Sequence, residues 1–359
     1  MINMSDLLLM MVQKRASDLH ITSGTSPVLR IDGHITPTPF EKLTPDVCQR
    51  LIYSLLTDQQ RQQFEAKNEL DLSFGIKGVG RVRMNVFRQR GSVGAALRSI
   101  PSQFMTFEEL GLPDVVYEVL KSPRGLFLVT GPTGSGKSTT LASMVDHLNE
   151  TRDGHIITIE DPIEYIHQHK KCIVNQREIG QDTAGFAQAL KYILRQDPDI
   201  ILIGEMRDLE TIQAAITIAE TGHLVFATLH TNDASSTINR IIDAFPSHQQ
   251  AQVRSQLSFV IQGVLSQSLM PHISGTGRVL AVEVMIATHA IKNLIREGKG
   301  EQMPMLIQTG GKFGMQTLNQ SLVDLVVKKK LTQNEAIENS FDPDELKKLI
   351  AQRTATAAR

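Results

Sequence analysis

The chain has 359 residues, with 37 Lys and Arg against 38 Asp and Glu, for a formal charge of −1. Its 41% apolar and 21% charged residues suit a soluble globular chain, long enough for two domains with cores of their own. The balance lacks the basic excess of a nucleic-acid or anionic-membrane binder. Two cysteines far apart in sequence, Cys48 and Cys172, support neither a zinc module nor a disulfide framework. Both are expected as free thiols in a reducing compartment.

From the start of the chain, Leu7 to Val12 is an apolar run far shorter than the about 20 residues of a membrane span, and it reads as the buried face of a helix. No basic region leads into it, so it is a poor signal peptide, and the expected location is cytoplasmic. Pro27 to Ile31, then Asp32-Gly33, then His34-Ile35 predicts a hairpin, because Asp-Gly suits a turn with positive φ. From Gly80 to Arg90, Val82, Met84 and Val86 alternate with Arg81, Arg83 and Asn85, the period of a half-buried strand with arginines on its open face. Val93, Ala95 and Leu97 predict its partner strand, after a turn at Gln89 to Gly91, with Arg98 at the end.

Residues 1–100 thus read as a mixed α+β domain, and 101–112, with prolines and a glycine at its margins, as a linker. The pattern then changes through 113–359. Leu126 to Val129, Ile156 to Ile159, Ile200 to Ile203 and Leu224 to Ala227 are unbroken apolar runs, as parallel strands covered on both faces require. Helical patterns lie between them. In one, Leu209, Ile212, Ala215, Ile216 and Ala219 form a stripe. Alternating strands and helices predict an α/β sheet. The tail from Thr354 to Arg359 reads as a frayed end.

Gly131-Pro132-Thr133-Gly134-Ser135-Gly136-Lys137-Ser138 fits G-x-x-x-x-G-K-[ST] between an apolar strand and a helix beginning near Ser138. Glycines let the backbone curl its N–H groups towards polyphosphate. Lys137 supplies a cation for the β- and γ-phosphates, the Ser138 hydroxyl a ligand for Mg²⁺, and the helix its positive N-terminal dipole. The expected ligand is ATP with Mg²⁺.

Asp197-Pro198-Asp199 precedes the apolar run that ends in Gly204-Glu205. An apolar strand ending in an acid beside the phosphate-loop strand places a carboxylate by the metal and γ-phosphate, so Glu205 is expected to act on Mg²⁺ through water or on the attacking water. A second acidic cluster, Glu160-Asp161-Pro162-Ile163-Glu164, follows Ile159, and Glu164 or Glu160 could orient water. His223 and His230 bracket the last apolar run and could sense the γ-phosphate.

Together these boxes resemble the secretion ATPases of type II and type IV secretion and of type IV pili. That family shares a phosphate loop, an Asp box, a second acidic strand and a His box in this order. Here they read GPTGSGKST (131–139, through Thr139), IITIEDPIEY (156–165), DPDIILIGEMRDLET (197–211) and TGHLVFATLHTNDA (221–234), with further likeness in ASDLHIT (16–22) and GRVRMNVFRQRG (80–91). The resemblance implies a PAS-like α+β N-terminal domain followed by a RecA-like P-loop domain, a ring hexamer, and ATP bound between domains with arginines reaching in. Arg81, Arg83 and Arg98 are the candidates. It puts the Asp-box catalytic glutamate at Glu164, the second-strand glutamate at Glu205 and the paired histidines at His223 and His230.

Within that family, Ala290 to Glu297 resembles the AIRNLIRE motif of the PilT-type retraction motors, with Lys292 in place of Arg, and the four-cysteine module of assembly motors is absent. The resemblance therefore implies a hexameric motor for pilus retraction and twitching motility. It would work on an inner-membrane platform protein at the inner face of the cytoplasmic membrane, with related pilus ATPases as further partners and no nucleic acid. A paralogous pilus or type II secretion ATPase is the alternative. A nucleic-acid translocase is disfavoured by 5% aromatic residues and no Trp, and a P-loop kinase would need an acceptor pocket.

Overall fold

The computed structural model describes residues 2–14, 16–31, 33–76, 80–100 and 103–357, without the side chains of 354–357. Asp32 of the expected hairpin, Pro101 of the expected linker and the last two residues lie outside these. The chain divides into two compact units, 1–103 with 164–166, and 104–163 with 167–359.

In the first unit the elements are α1 (Met4–Gln13), β1 (Asp18–Ile21), β2 (Val28–Ile31), β3 (His34–Pro37), α2 (Pro45–Tyr53), α3 (Asp58–Lys67), β4 (Glu69–Ile76), β5 (Gly80–Gln89) and β6 (Ser92–Ile100). The strands form an antiparallel sheet in the order β3-β2-β1-β6-β5-β4. Side-chain oxygens of Asn3, Thr44 and Thr57 cap the three helices. The expected alternation holds in β5, where Val82, Met84 and Val86 are buried with Leu19, Ile21, Leu97 and Phe64. Helix α1 buries Leu7, Leu8 and Met11 but exposes Leu9 and Val12, because the helical turn carries those two away from the core. The turn after β5 is where it was expected, with Arg90 and Gly91 at φ 49° and 78°.

The second unit begins with α4 (Phe107–Leu110) and α5 (Val115–Leu120). The stretch expected as a linker is therefore packed structure from Phe104 on. Thr106 and Glu109 form a reciprocal capping box, and Phe107 and Leu112 are buried beside Leu141 and Met144. There follow β7 (Gly125–Thr130), α6 (Lys137–Thr151), β8 (Gly154–Glu160), β9 (Cys172–Glu178), α7 (Phe186–Ile193), β10 (Ile200–Ile203), α8 (Leu209–Glu220), β11 (Leu224–Leu229), α9 (Ala234–Asp243) and α10 (Ser247–Val260). Next come β12 (Ile261–Pro271), β13 (Arg278–Ile286), α11 (His289–Glu297), α12 (Met303–Thr309), α13 (Leu318–Val327), α14 (Gln333–Glu338) and α15 (Pro343–Ala357).

The sheet order is β13-β12-β7-β11-β10-β8-β9, parallel throughout except for β13 at one edge. Its unbroken apolar strands have the cause expected of them. Leu126 and Leu128 face one core, with α7 to α12, while Phe127 and Val129 face another, with α5 and α6. A smaller core joins α13 and α15 to Met270, Val279 and Ala281. The fold class expected from the sequence, an α+β unit ahead of an α/β P-loop unit, is the one found. Among the described residues no helix is long and apolar enough to cross a membrane.

One expectation about the sheet is corrected. The acidic strand β10 does not lie beside the phosphate-loop strand β7, since β11 runs between them. The loops that leave β7, β11, β10 and β8 share one edge, because all four strands point the same way.

Candidate nucleotide site

The phosphate loop links the end of β7 to the start of α6. Its glycines take left-handed or otherwise glycine-favouring backbone, at φ 138° for Gly131, 82° for Gly134 and 89° for Gly136. Gly131 is also held close. A Cβ there would lie 2.3 Å from the Gln267 carbonyl oxygen on β12 and 2.6 Å from Ser135 Oγ. Lys137 folds over the loop and donates to the carbonyls of Gly131 at 2.8 Å and Pro132 at 3.0 Å. Burial pulls its ammonium pKa below the usual lysine range, opposed by the Glu205 carboxylate. Pro132, Thr133, Gly134 and Ser138 are exposed, and Thr139 is half-buried, in the first turn of α6. Ser135 Oγ is buried and has no hydrogen-bond partner among the described residues. A glycine-lined curl with a lysine, an orphan hydroxyl and the start of a 15-residue helix fits a polyphosphate.

Glu205 follows β10 and is held from both sides. Gly204 N–H donates to the Ile159 carbonyl at 2.7 Å, and Thr228 Oγ1 to the Gly204 carbonyl at 2.6 Å. A Cβ at Gly204 would lie 3.1 Å from the Ile159 oxygen, so the strand ends approach closely there. The carboxylate itself meets two cations or potential cations. Arg207 donates to Oε2 at 2.6 Å, and His230 Nε2 lies 3.2 Å from Oε1. The Arg207 bond, helped by His230 and opposed by burial, holds the carboxyl below the usual carboxylate range. Ser138 and Glu205 are a donor set suited to Mg²⁺, which takes few protein ligands and completes its shell with phosphate and water.

The other expected site residues are distributed differently. Glu160 ends β8 on the same edge, where its Oε1 accepts from Thr158 Oγ1 at 2.6 Å and Gln176 Nε2 at 3.3 Å. Glu164 lies in the short stretch 164–166 that groups with the first unit. His223 is not placed with His230. It precedes β11, so the strand separates the two by on the order of 20 Å at the usual rise per residue. There its Nδ1 lies 3.1 Å from both the Ile218 carbonyl oxygen and Thr221 Oγ1.

The expected arginines share one face of the first sheet. In register, Arg30, Asp18, Arg98, Arg83 and Ser73 form one row across β2, β1, β6, β5 and β4. Arg98 donates to Asp18 Oδ1 at 2.8 Å and Arg81 to Ser73 Oγ at 2.7 Å, so both are engaged within their own sheet.

Two features escaped sequence reasoning. Arg207 lies inside a box that was recognised, but nothing in the pattern marked it as the partner of Glu205. Strand β12 flanks β7 directly, and its Ser266 and Gln267 are buried behind the phosphate loop. Ser266 Oγ lies 2.8 Å from Thr130 Oγ1, and Gln267 Nε2 donates to Thr140 Oγ1 at 2.7 Å. Their polarity masked the strand.

A phosphate-binding loop on a parallel sheet, with an arginine- and histidine-held carboxylate on the same edge, defines a P-loop nucleotide fold. Residues 2–338 match the family described as type II/IV secretion system protein, and the chain belongs to that family. The type IV pilus retraction ATPase PilT of Pseudomonas aeruginosa is 52% identical over 342 residues, 95% of this chain and 99% of that one. A twitching motility protein of Neisseria gonorrhoeae is 46% identical over 318 residues, 87% of this chain and 85% of that one. The crystal structure of the pilus retraction motor PilT with bound ADP matches with a TM-score of 0.91 at 53% identity, covering 97% of this chain and 100% of that one.

Proposed function

We propose that this protein is an ATP-hydrolysing motor that powers type IV pilus retraction and hence twitching motility. The observation that carries this reading is the Glu205 carboxylate, held by Arg207 at 2.6 Å with His230 at 3.2 Å, on the same sheet edge as the phosphate loop. The named relatives give the reading its pilus context, and the ADP-bound motor gives it the nucleotide.

In this reading residues 131–139 bind the phosphates, with Lys137 turning from its own loop carbonyls to the β- and γ-phosphates. Mg²⁺, held by Ser138 and through water by Glu205, would neutralise charge on the phosphate oxygens. Glu205, kept ionised by Arg207, orients the attacking water and accepts its proton as the terminal phosphoryl bond breaks. His230, 3.2 Å from Glu205, is the candidate sensor of the γ-phosphate. Glu164 is the second candidate for positioning water, and Arg81, Arg83 and Arg98 are candidates for phosphate contacts from a separate domain. Arg98 must then exchange Asp18 for phosphate. The active form is taken as a homohexamer acting on an inner-membrane platform protein from the cytoplasmic side, with related pilus ATPases as possible companions.

Purified protein should release phosphate from ATP only with Mg²⁺, and Lys137→Ala should abolish this. Deletion in the native host should leave cells that bear excess pili and do not twitch. Normal twitching after deletion would overturn the retraction role, and full activity of Lys137→Ala would overturn the site.

A further inference from the structure

The phosphate loop, the Glu205 bend and the His230 turn account for most polar groups on the active edge of the sheet, but not for Glu283. This residue lies within β13, between Val282 and Val284, and the run from Val279 to Met285 is otherwise buried and apolar. Its Oε1 accepts from the Ala234 N–H at 2.8 Å. Ala234 is the first residue of α9, and the segment from His230 to Asp233 is all that separates that helix from β11. Glu283 therefore ties the end of the His230 turn to a strand at the edge of the sheet.

The turn is braced from its other side as well. Asp233 Oδ1 accepts from the Ser236 N–H at 2.7 Å, and Thr231 Oγ1 lies 2.6 Å from Thr237 Oγ1. These local contacts fix the turn to its own helix, whereas Glu283 fixes it to the sheet. In register Glu283 is opposite Ser266, Ser266 is opposite Thr130, and Thr130 is opposite Leu229. One row across four strands thus runs from Glu283, past the residue before the phosphate loop, to the residue before His230.

Keeping a carboxyl there is costly. Burial pushes its pKa up to about 7, the Ala234 N–H opposes the rise and the nearby Asp233 carboxylate adds to it. A branched apolar side chain would suit the strand better, so the carboxyl is retained against its desolvation cost.

We propose that Glu283 is a positioning residue for hydrolysis, one that holds Ala234 and thereby sets where His230 meets Glu205. This rests on the nucleotide-hydrolysing reading of the site above. Glu283 acts through the 230–233 turn, which it holds at the Ala234 N–H. Loss of the tie leaves the phosphate loop on β7 and α6 intact, so ATP binding is spared while the turnover step slows. Misplacement of a catalytic group by about 1 Å can cost on the order of 100-fold in rate.

The test compares Mg-ATP hydrolysis by wild type, Glu283→Ala, Glu283→Gln and Glu283→Asp, with Lys137→Ala as the reference for a dead site. Expected is a kcat lower by roughly 10- to 100-fold in Glu283→Ala with KM nearly unchanged. Glu283→Gln, which keeps an acceptor at the same reach, should restore most of it. Wild-type kcat in folded Glu283→Ala overturns the proposal, as does a Gln variant as slow as the Ala variant. Where Glu283→Ala does not fold, Glu283→Asp decides, because it keeps the acid but withdraws the oxygen from Ala234. A slowed Asp variant supports the proposal and a normal one overturns it. The site reading stands or falls separately, on whether Lys137→Ala is inactive.

Discussion

Arg207 donates to Glu205 Oε2 at 2.6 Å across a bend in which only Met206 separates the two residues. The arginine is 69% exposed, so the pair adds little to stability, and its effect is on the carboxylate it holds. Arg207 fixes one oxygen and leaves the other facing His230. It also holds the carboxyl below its usual range.

The sign of the pH effect follows. A depressed carboxyl stays ionised to lower pH than a free one and loses its activity only as pH falls through that lowered value. In Arg207→Ala the Glu205 carboxyl should rise, and the acid limb of the kcat profile should move to higher pH with KM little changed. Arg207→Lys should restore part of the shift. An acid limb that does not move in Arg207→Ala would assign the limb to another group.

Gly131→Ala should be the most destabilising alanine substitution among the glycines of the phosphate loop. It combines a φ of 138° with a Cβ 2.3 Å from the Gln267 carbonyl oxygen, which is backbone and cannot swing aside. The φ alone costs about 1–3 kcal/mol. Gly134→Ala, at φ 82° with open space around the new Cβ, should cost only about 1–2 kcal/mol. Thermal or denaturant unfolding of the two variants checks the order, and a more stable Gly131→Ala would refute the close-approach account.

The two histidines of the same box should behave unequally. His230→Ala should slow hydrolysis by about 100-fold, in line with the loss of one preorganised polar group. His223→Ala, at the opposite end of β11, should leave kcat within about threefold of wild type, since its contacts there are to Thr221 and Ile218. Equal losses in kcat would mean that His223 acts on a site the strand does not place it in.

Helix α11 carries the motif-like segment, and its two faces are now distinct. Ile291 and Ile295 are buried in the main core and Leu294 packs against it, while Ala290 is exposed. Ile295→Ala should therefore cost about 2–5 kcal/mol of stability, whatever the motor does. The exposed Asn293 and Arg296, which pair with each other, are the better probe of coupling. Replacing both by Ala should leave folding and ATP hydrolysis near wild type and abolish twitching when the variant replaces the native protein. Normal twitching in that strain would remove α11 from the coupling role.

Much of the fold was legible because its signals are local. The apolar runs at 126–129, 156–159, 200–203 and 224–227 each became a parallel strand, since a strand covered on both faces admits little else. The phosphate loop was equally plain, because backbone curvature around phosphate demands glycine, lysine and hydroxyl at fixed spacing. Thr106 and Glu109 carry a capping signal in the stretch expected as a linker, but the helix they start is only four residues long, too short for an apolar period to show.

What the tertiary structure decided is which strand ends lie together. Nothing in the period of β10 or β11 says that β11 inserts between β10 and β7, that Arg207 turns back on Glu205, or that buried Ser266 and Gln267 back the phosphate loop. Residue type and spacing determined the chemistry available to this chain, since those depend on neighbours in sequence. The pairing of strands depends on long-range packing of both sheet faces. That packing alone placed His230 beside Glu205, whereas the length of β11 already set His223 at the other end of the strand.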